Sequence, residues 1–259
     1  MAVWNVEPLP RLARQTVTRQ DFHVSMSAQL SQRAPRIPWD TFINDLVWRP
    51  GEHISIVGST GSGKTTLTNA LLPLHTYVVV FGTKPRDTSL DWFLTHGYIR
   101  LMTWQNLDPN KYPKRVLWPD QRDIDSDKVT SAVFRDALGK IYREGGWTLD
   151  FDETRVLTEN LKLSDEIVTM LTQGRSLGIS VVAGSQRPRW VPLEVFNQAT
   201  HIFMARTADK YELARLSEIG FIDSELVKLI VPQLEQFQFL YINTRDGHMA
   251  RIVAPGPEE

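Results

Sequence analysis

The run Gly58-Ser-Thr-Gly-Ser-Gly63-Lys64-Thr65 constrains this chain more than any other stretch. It satisfies G-x-x-x-x-G-K-[ST] at every required position, a pattern that cradles phosphates. A polyphosphate needs many donors and a backbone that can come close. Glycines permit the approach, and successive backbone N–H groups supply the donors. The spacing puts Lys64 on the β- and γ-phosphates and the Thr65 hydroxyl on Mg²⁺, with ATP held along Ser59, Thr60, Gly61, Ser62, Gly63, Lys64, Thr65 and Thr66. The flanks agree: 53–57 reads as a strand and 64–72 as a helix whose N-terminus favours anions. A glycine-rich turn is the bland alternative, and the strand–loop–helix context argues against it.

At 259 residues the chain has room for one large α/β domain, or one domain with a small appendage. Apolar residues make up 42%, enough for a substantial core. The net charge of −1 gives no general pull toward nucleic acid, so any DNA contact must come from local basic patches. There is no cysteine, which excludes disulfides and thiolate metal sites and suits a cytoplasmic setting. The six histidines lack zinc spacing. The N-terminus has no charged lead or apolar run of the kind a signal peptide needs. The longest apolar runs, such as 77–81, are too short to span a bilayer, so no transmembrane segment is expected.

Residues 1–38 are rich in Pro, Gln, Ser and Arg and are expected to form an N-terminal arm, with one short strand near 22–26. Its arginines could meet phosphates. The ATPase domain is expected over 39–259. Strands are predicted at 53–57, 77–81, 98–103, 115–118, 147–152, 178–184, 201–205 and 237–243, the last pairing with 248–253 across Asp246-Gly247. Helices are predicted at 64–72, 88–95, 126–143, 160–175 and 208–217. This alternation implies an α/β fold, a mostly parallel sheet with helices on both faces.

A phosphate loop needs an acidic partner for Mg²⁺ and a group that positions the attacking water. Trp147-Thr-Leu-Asp-Phe-Asp152-Glu153 is a β-prone run ending in two acids. Asp152 is expected to hold Mg²⁺ through water and Glu153 to polarise the nucleophilic water. Asp150 is an alternative metal residue, although it stands where a buried apolar side chain belongs. Further on, a buried strand over 179–183 delivers Gln186 to its C-terminal end, where ligands bind in open α/β sheets. An amide there can hold both the γ-phosphate and the attacking water.

The loop at 58–65, Asp152-Glu153, and Gly174-Arg175…Gly178-Ile179…Gln186-Arg187-Pro188 together resemble the FtsK/HerA superfamily of hexameric DNA-pumping ATPases, over roughly 39–253. The resemblance implies a RecA-like P-loop NTPase core. It makes Glu153 the catalytic carboxylate, Gln186 the γ-phosphate sensor, and Arg175 an arginine finger reaching the ATP of the neighbouring subunit, with Arg206 in reserve. The 77–81 strand is similar to the family's second strand, but Gly-Thr-Lys84 replaces an Asp-x-Lys-like turn, which leaves Lys84 without an assigned role. Among relatives, the chain is most similar to compact viral packaging ATPases and small mobile-element motors. The implied function is a ring, hexameric by resemblance, that hydrolyses ATP to move double-stranded DNA through a central pore. A capsid, portal or membrane protein is the expected docking partner. Candidate pore contacts are Lys111, Lys114 and Arg115, and Arg187 and Arg189, although ordinary solvated surface is the better explanation of either cluster. The competing readings are a non-motor ATPase switch that controls a partner protein and, less well matched to the 174–188 stretch, a small-metabolite kinase.

Overall fold

A computed structural model describes residues 33–120, 126–219, 223–245 and 250–256. Its elements run as follows: α1 Trp39–Asp45, β1 His53–Val57, α2 Lys64–Leu71, β2 Val78–Phe81, α3 Thr88–Thr95, β3 Ile99–Leu101, β4 Lys114–Leu117, α4 Ser126–Glu144, β5 Thr148–Phe151, α5 Ser164–Gln173, β6 Ser180–Ser185, α6 Glu194–Asn197, β7 Ala199–Ala205, α7 Lys210–Ser217, α8 Ser224–Ile230, β8 Phe239–Asn243 and β9 Ala250–Val253. The nine strands form one sheet in the order β3-β4-β2-β5-β6-β1-β7-β8-β9. The seven strands from β3 to β7 pair in parallel. β8 and β9 close the edge antiparallel, as expected for the predicted hairpin, whose turn at 246–247 lies outside the described residues.

Both faces of the sheet are covered, and β2 shows how. Val78 and Val80 join Leu67 and Leu71 of α2 and Leu90 and Phe93 of α3 in one apolar cluster. Val79 and Phe81 join Phe134, Leu138 and Ile141 of α4 in the other. A strand packed on both faces must be apolar at every position, so Val-Val-Val-Phe reads as a run and not as an alternation. The predicted α/β architecture therefore stands.

Local chemistry sets the helix ends. Asp87 accepts from Ser89 N at 3.0 Å and caps α3; Asp209 and Asp223 cap α7 and α8 in the same way. The predicted 160–175 helix is shorter: a single π turn at 156–160 precedes α5. The short helices α1, α6 and α8 were not read from the sequence. Seven residues or fewer leave too little periodicity to register.

The last residues of the expected 1–38 arm touch the sheet. Ala34 is buried, Arg36 bridges to Ile252 of β9, and Ile37 N donates to Ile252 O at 3.0 Å. Residues 33–38 thus form part of the sheet's edge. The remainder of the predicted arm, with its 22–26 strand, lies outside the described residues.

Candidate nucleotide site

Topology assembles the site. β6 lies between β1, which leads into the phosphate loop, and β5, which leads into the acids. The C-terminal end of β6 therefore enters the gap between loop and acids, and Gln186 follows it directly. The strand ends approach so closely that a Cβ on Gly184 would lie 2.2 Å from the Asp152 carbonyl oxygen. Only glycine fits there.

Gln186 uses this position. Its side-chain oxygen accepts from the Thr60 hydroxyl of the loop at 3.0 Å. Its backbone N–H and side-chain amide both face the Glu153 carboxylate. One residue thus spans from the loop to the acid that would activate water. Burial, helped by Asp152, raises the Glu153 carboxyl above its ordinary range, against the pull of Lys64 and Gln186. A carboxylate so placed is a better proton acceptor near neutral pH than a solvated one.

Lys64 is buried and donates to Gly58 O at 2.8 Å and Ser59 O at 3.2 Å, curling inside its own loop. Burial lowers its pKa, while Asp152 and Glu153 oppose the shift. Gly63 caps α2 at φ +94°, a left-handed backbone that glycine adopts at little cost. Thr65, Asp150 and Asp152 line one small cavity. Among the described residues no group of three or more His, Cys, Asp or Glu could hold a metal alone. Mg²⁺ takes one or two carboxylates and completes its shell with phosphate and water. Hydroxyl and carboxylate are the hard oxygen donors it prefers.

Asp150 is fully buried, paired across the sheet with Val80 and Val182, and its Oδ1 has no hydrogen-bond partner. Burial, and secondarily Asp152, pushes its carboxyl well above the ordinary range. Asp152 is partly exposed and faces a cation: Lys84 Nζ lies 3.6 Å from it and 3.1 Å from Asp87. Burial would lower Lys84, but Asp152 and Asp87 outweigh it and raise it. Lys84, left without a role by the sequence, therefore stands at the acid end of the site.

Beside Glu153 and Gln186 opens a cavity of about 520 Å³ that also borders Arg155, Arg187 and Trp190. The guanidinium carbons of Arg155, Arg187 and Arg189 lie 4.0, 4.4 and 5.3 Å from the Trp190 ring centroid. Arg155 also pairs with Glu159, and Arg189 lies 3.9 Å from Glu212. Arg155 and Trp190 escaped the sequence reading. An Arg just past the acids and a Trp in the Arg-Pro-Arg-Trp run were the available signals.

Two predicted groups fall elsewhere. Arg175 precedes β6, at the end of the sheet opposite the loop, and its Nη2 donates to Thr200 Oγ1 at 2.8 Å. A strand the length of β1 separates the two ends, about 16 Å at some 3.3 Å per residue. The Arg175 side chain therefore cannot reach the 58–65 loop of its own chain. Lys114 and Arg115 begin β4 at that same far end. Lys114 is partly exposed, with Nζ 5.5 Å from the Tyr98 ring centroid. Arg115 must be corrected: it is 1% exposed and is not a surface contact. It donates to Leu107 O at 2.8 Å and Tyr112 O at 3.0 Å, with its guanidinium 4.6 and 4.5 Å from the Trp104 and Trp147 ring centroids. The two accepting carbonyls and two ring faces explain how a cation survives in the core. Arg206 directly follows β7 and shares a cavity with its own loop.

The fold matches solved P-loop NTPases. The genome packaging NTPase of Sulfolobus turreted icosahedral virus 2 superposes with a TM-score of 0.58 at 18% identity, covering 81% of this chain and 98% of that one. The DNA-packaging ATPase of Sulfolobus turreted icosahedral virus gives 0.56 at 20% identity, covering 81% and 100%. The cytoplasmic domain of the Thermomonospora curvata type VII secretion ATPase EccC gives 0.51 at 17% identity, covering 80% of this chain and 25% of that one. No family model and no curated protein sequence matches the chain.

Proposed function

We propose that the protein is an ATP hydrolase that drives double-stranded DNA through a ring of identical subunits, as in genome packaging or DNA transfer. The observation that carries this reading is the Thr60–Gln186 hydrogen bond, which ties the phosphate loop to the end of β6, where Gln186 lines one cavity with Glu153. The structural likeness supports it, because the packaging NTPases align over nearly their whole length.

In this mechanism the loop amides and Lys64 hold the β- and γ-phosphates of ATP. Glu153 takes a proton from water, the water oxygen bonds to the γ-phosphorus, and the bond from that phosphorus to the β–γ bridging oxygen breaks. Lys64 stabilises the charge gathering on the leaving ADP. Gln186 orients the water. Mg²⁺, held by Thr65 and Asp152, would neutralise the phosphate oxygens. Asp152 suits this role better than Asp150, because it is partly exposed at the acid end of the site while Asp150 is sealed within β5. Arg175, out of reach of its own loop, acts on a neighbour's ATP, where an added arginine is worth about 10³–10⁵ in rate. The Arg155, Arg187, Arg189 and Trp190 cluster beside Glu153 receives the DNA backbone, so that phosphate contact and chemistry share a wall.

Among the described residues no helix is long and apolar enough to cross a membrane. The proposed motor works in a cytoplasm and is recruited by a capsid, portal or membrane protein. The deciding experiment measures ATP turnover with and without duplex DNA for the wild type, Lys64→Ala and Glu153→Gln. The wild type should be stimulated by DNA of any sequence, Lys64→Ala should be inactive, and Glu153→Gln should bind ATP and turn it over very slowly. Turnover indifferent to DNA at every salt concentration would favour the ATPase-switch reading.

A further inference from the structure

The turn before β8 holds a residue that neither backbone preference nor burial explains. Gln238 N donates to Glu235 O at 3.2 Å, closing a four-residue turn with Phe237 at its third position. Phe237 has φ +64°. Turns of this geometry give that position to glycine, since a bulky side chain is strained there. The aromatic ring gains little from burial in return, being 48% exposed.

The ring is placed against the phosphate loop. A Cβ on Gly63 would lie 2.9 Å from Phe237 Cδ1, so the ring edge rests on the backbone at the start of α2. Between the loop and the turn lies a cavity of about 300 Å³, bordered by Ser59 to Ser62 on one side and by Arg206 and the 235–238 turn on the other. The turn is stapled from within: Gln238 Nε2 donates to Glu235 Oε2 at 2.8 Å, and Glu235 N donates to Gln238 Oε1 at 3.0 Å. The ring is thus an exposed aromatic surface on a fixed support, at the lower end of the size range of small-ligand cavities and one step from the phosphate amides.

We infer that this cavity receives the base of the nucleoside triphosphate, with the Phe237 ring as its stacking surface and the Arg206 guanidinium as the opposite wall. The inference rests on the proposed binding of nucleotide at the loop. Ring stacking repays the backbone strain only when a base is bound, which accounts for an aromatic residue at a glycine position. Strained residues that persist at ligand clamps are a recurring pattern.

The test compares the wild type, Phe237→Gly, Phe237→Trp and Lys64→Ala by titration calorimetry with a non-hydrolysable ATP analogue and with inorganic tripolyphosphate, together with nucleotide-free melting. Loss of one stacked base is worth roughly a five- to hundredfold weakening. Phe237→Gly should weaken the analogue by that factor, leave tripolyphosphate binding unchanged, and raise the melting temperature, because glycine relieves the turn. Phe237→Trp should restore analogue affinity. If Phe237→Gly binds the analogue like the wild type, or weakens both ligands equally, the base pocket is refuted; the loop assignment survives if Lys64→Ala still loses both. If the wild type binds neither ligand, the nucleotide reading itself fails and takes this inference with it.

Discussion

Replacing Arg115 by leucine separates two readings of one residue. The guanidinium donates to two carbonyls and lies against two indoles, and Glu144 braces those indoles by accepting from Trp147 Nε1 at 2.9 Å and Trp104 Nε1 at 3.4 Å. Hydrogen bonds from a charged donor are worth about 1.5–3 kcal/mol each, and a desolvated cation–π contact about 2 kcal/mol. Against these stands the cost of burying the guanidinium, which leucine removes. The net loss should be about 3 kcal/mol, because two carbonyls lose a donor and Glu144 loses its counter-charge. Against a total of about 5–15 kcal/mol the protein should still fold. Its urea midpoint should drop by about 1 M at a slope of about 3 kcal/mol per molar. Measured on folded protein, the salt dependence of DNA binding should match the wild type. An unchanged midpoint combined with a DNA salt slope reduced by about 1 would refute the argument and return Arg115 to the phosphate-contacting surface.

Burial alone would raise the Glu52 carboxyl, but His201, the Arg49 N–H and Arg245 outweigh it and hold it at about 2. A lowered carboxyl stabilises the fold above its unfolded value near 4.3 and loses that contribution as pH falls toward 2. Denaturant melts of Glu52→Gln should therefore show a loss of about 3 kcal/mol at pH 7, at about 1.4 kcal/mol per unit, that vanishes near pH 2. Gln186→Ala should retain most ATP affinity in equilibrium binding, which the loop amides and Lys64 carry in the proposed mechanism, yet lose about 10²-fold in turnover with its hold on the attacking water. Mixing Arg175→Ala with Lys64→Ala subunits should recover part of the lost turnover, because some interfaces pair an intact loop with an intact arginine; no recovery in rings shown to be mixed would remove Arg175 from the chemistry. Arg187→Glu with Arg189→Glu should abolish DNA stimulation and flatten its salt dependence while basal turnover remains measurable.

The positions of the 58–65 loop between strand and helix, of the two acids after β5 and of Gln186 after β6 were legible because the pattern that marks them is local. A polyphosphate needs glycines, a lysine and a hydroxyl within eight consecutive residues, and the strand and helix that present them are their immediate neighbours. The alternation of apolar runs likewise announced a doubly covered parallel sheet. What the sequence could not disclose is which end of that sheet a residue occupies and what lies across from it. Lys114 and Arg115 read as one basic pair, yet adjacent residues on a strand point to opposite faces, and here one is partly exposed while the other is sealed between two indoles.

The chain by itself determined that a glycine-rich loop of phosphate-binding pattern opens a helix, that acids follow a later strand, and that an amide follows another. Tertiary structure alone decided that β6 runs between the other two, which brings Gln186 to Thr60 across 126 positions of sequence. It also decided that Phe237 rests on Gly63 and that Arg175 stands a sheet's length from its own loop. The physical reason is that strand order and register depend on burying apolar faces that are far apart in sequence, and no short window of residues carries that information.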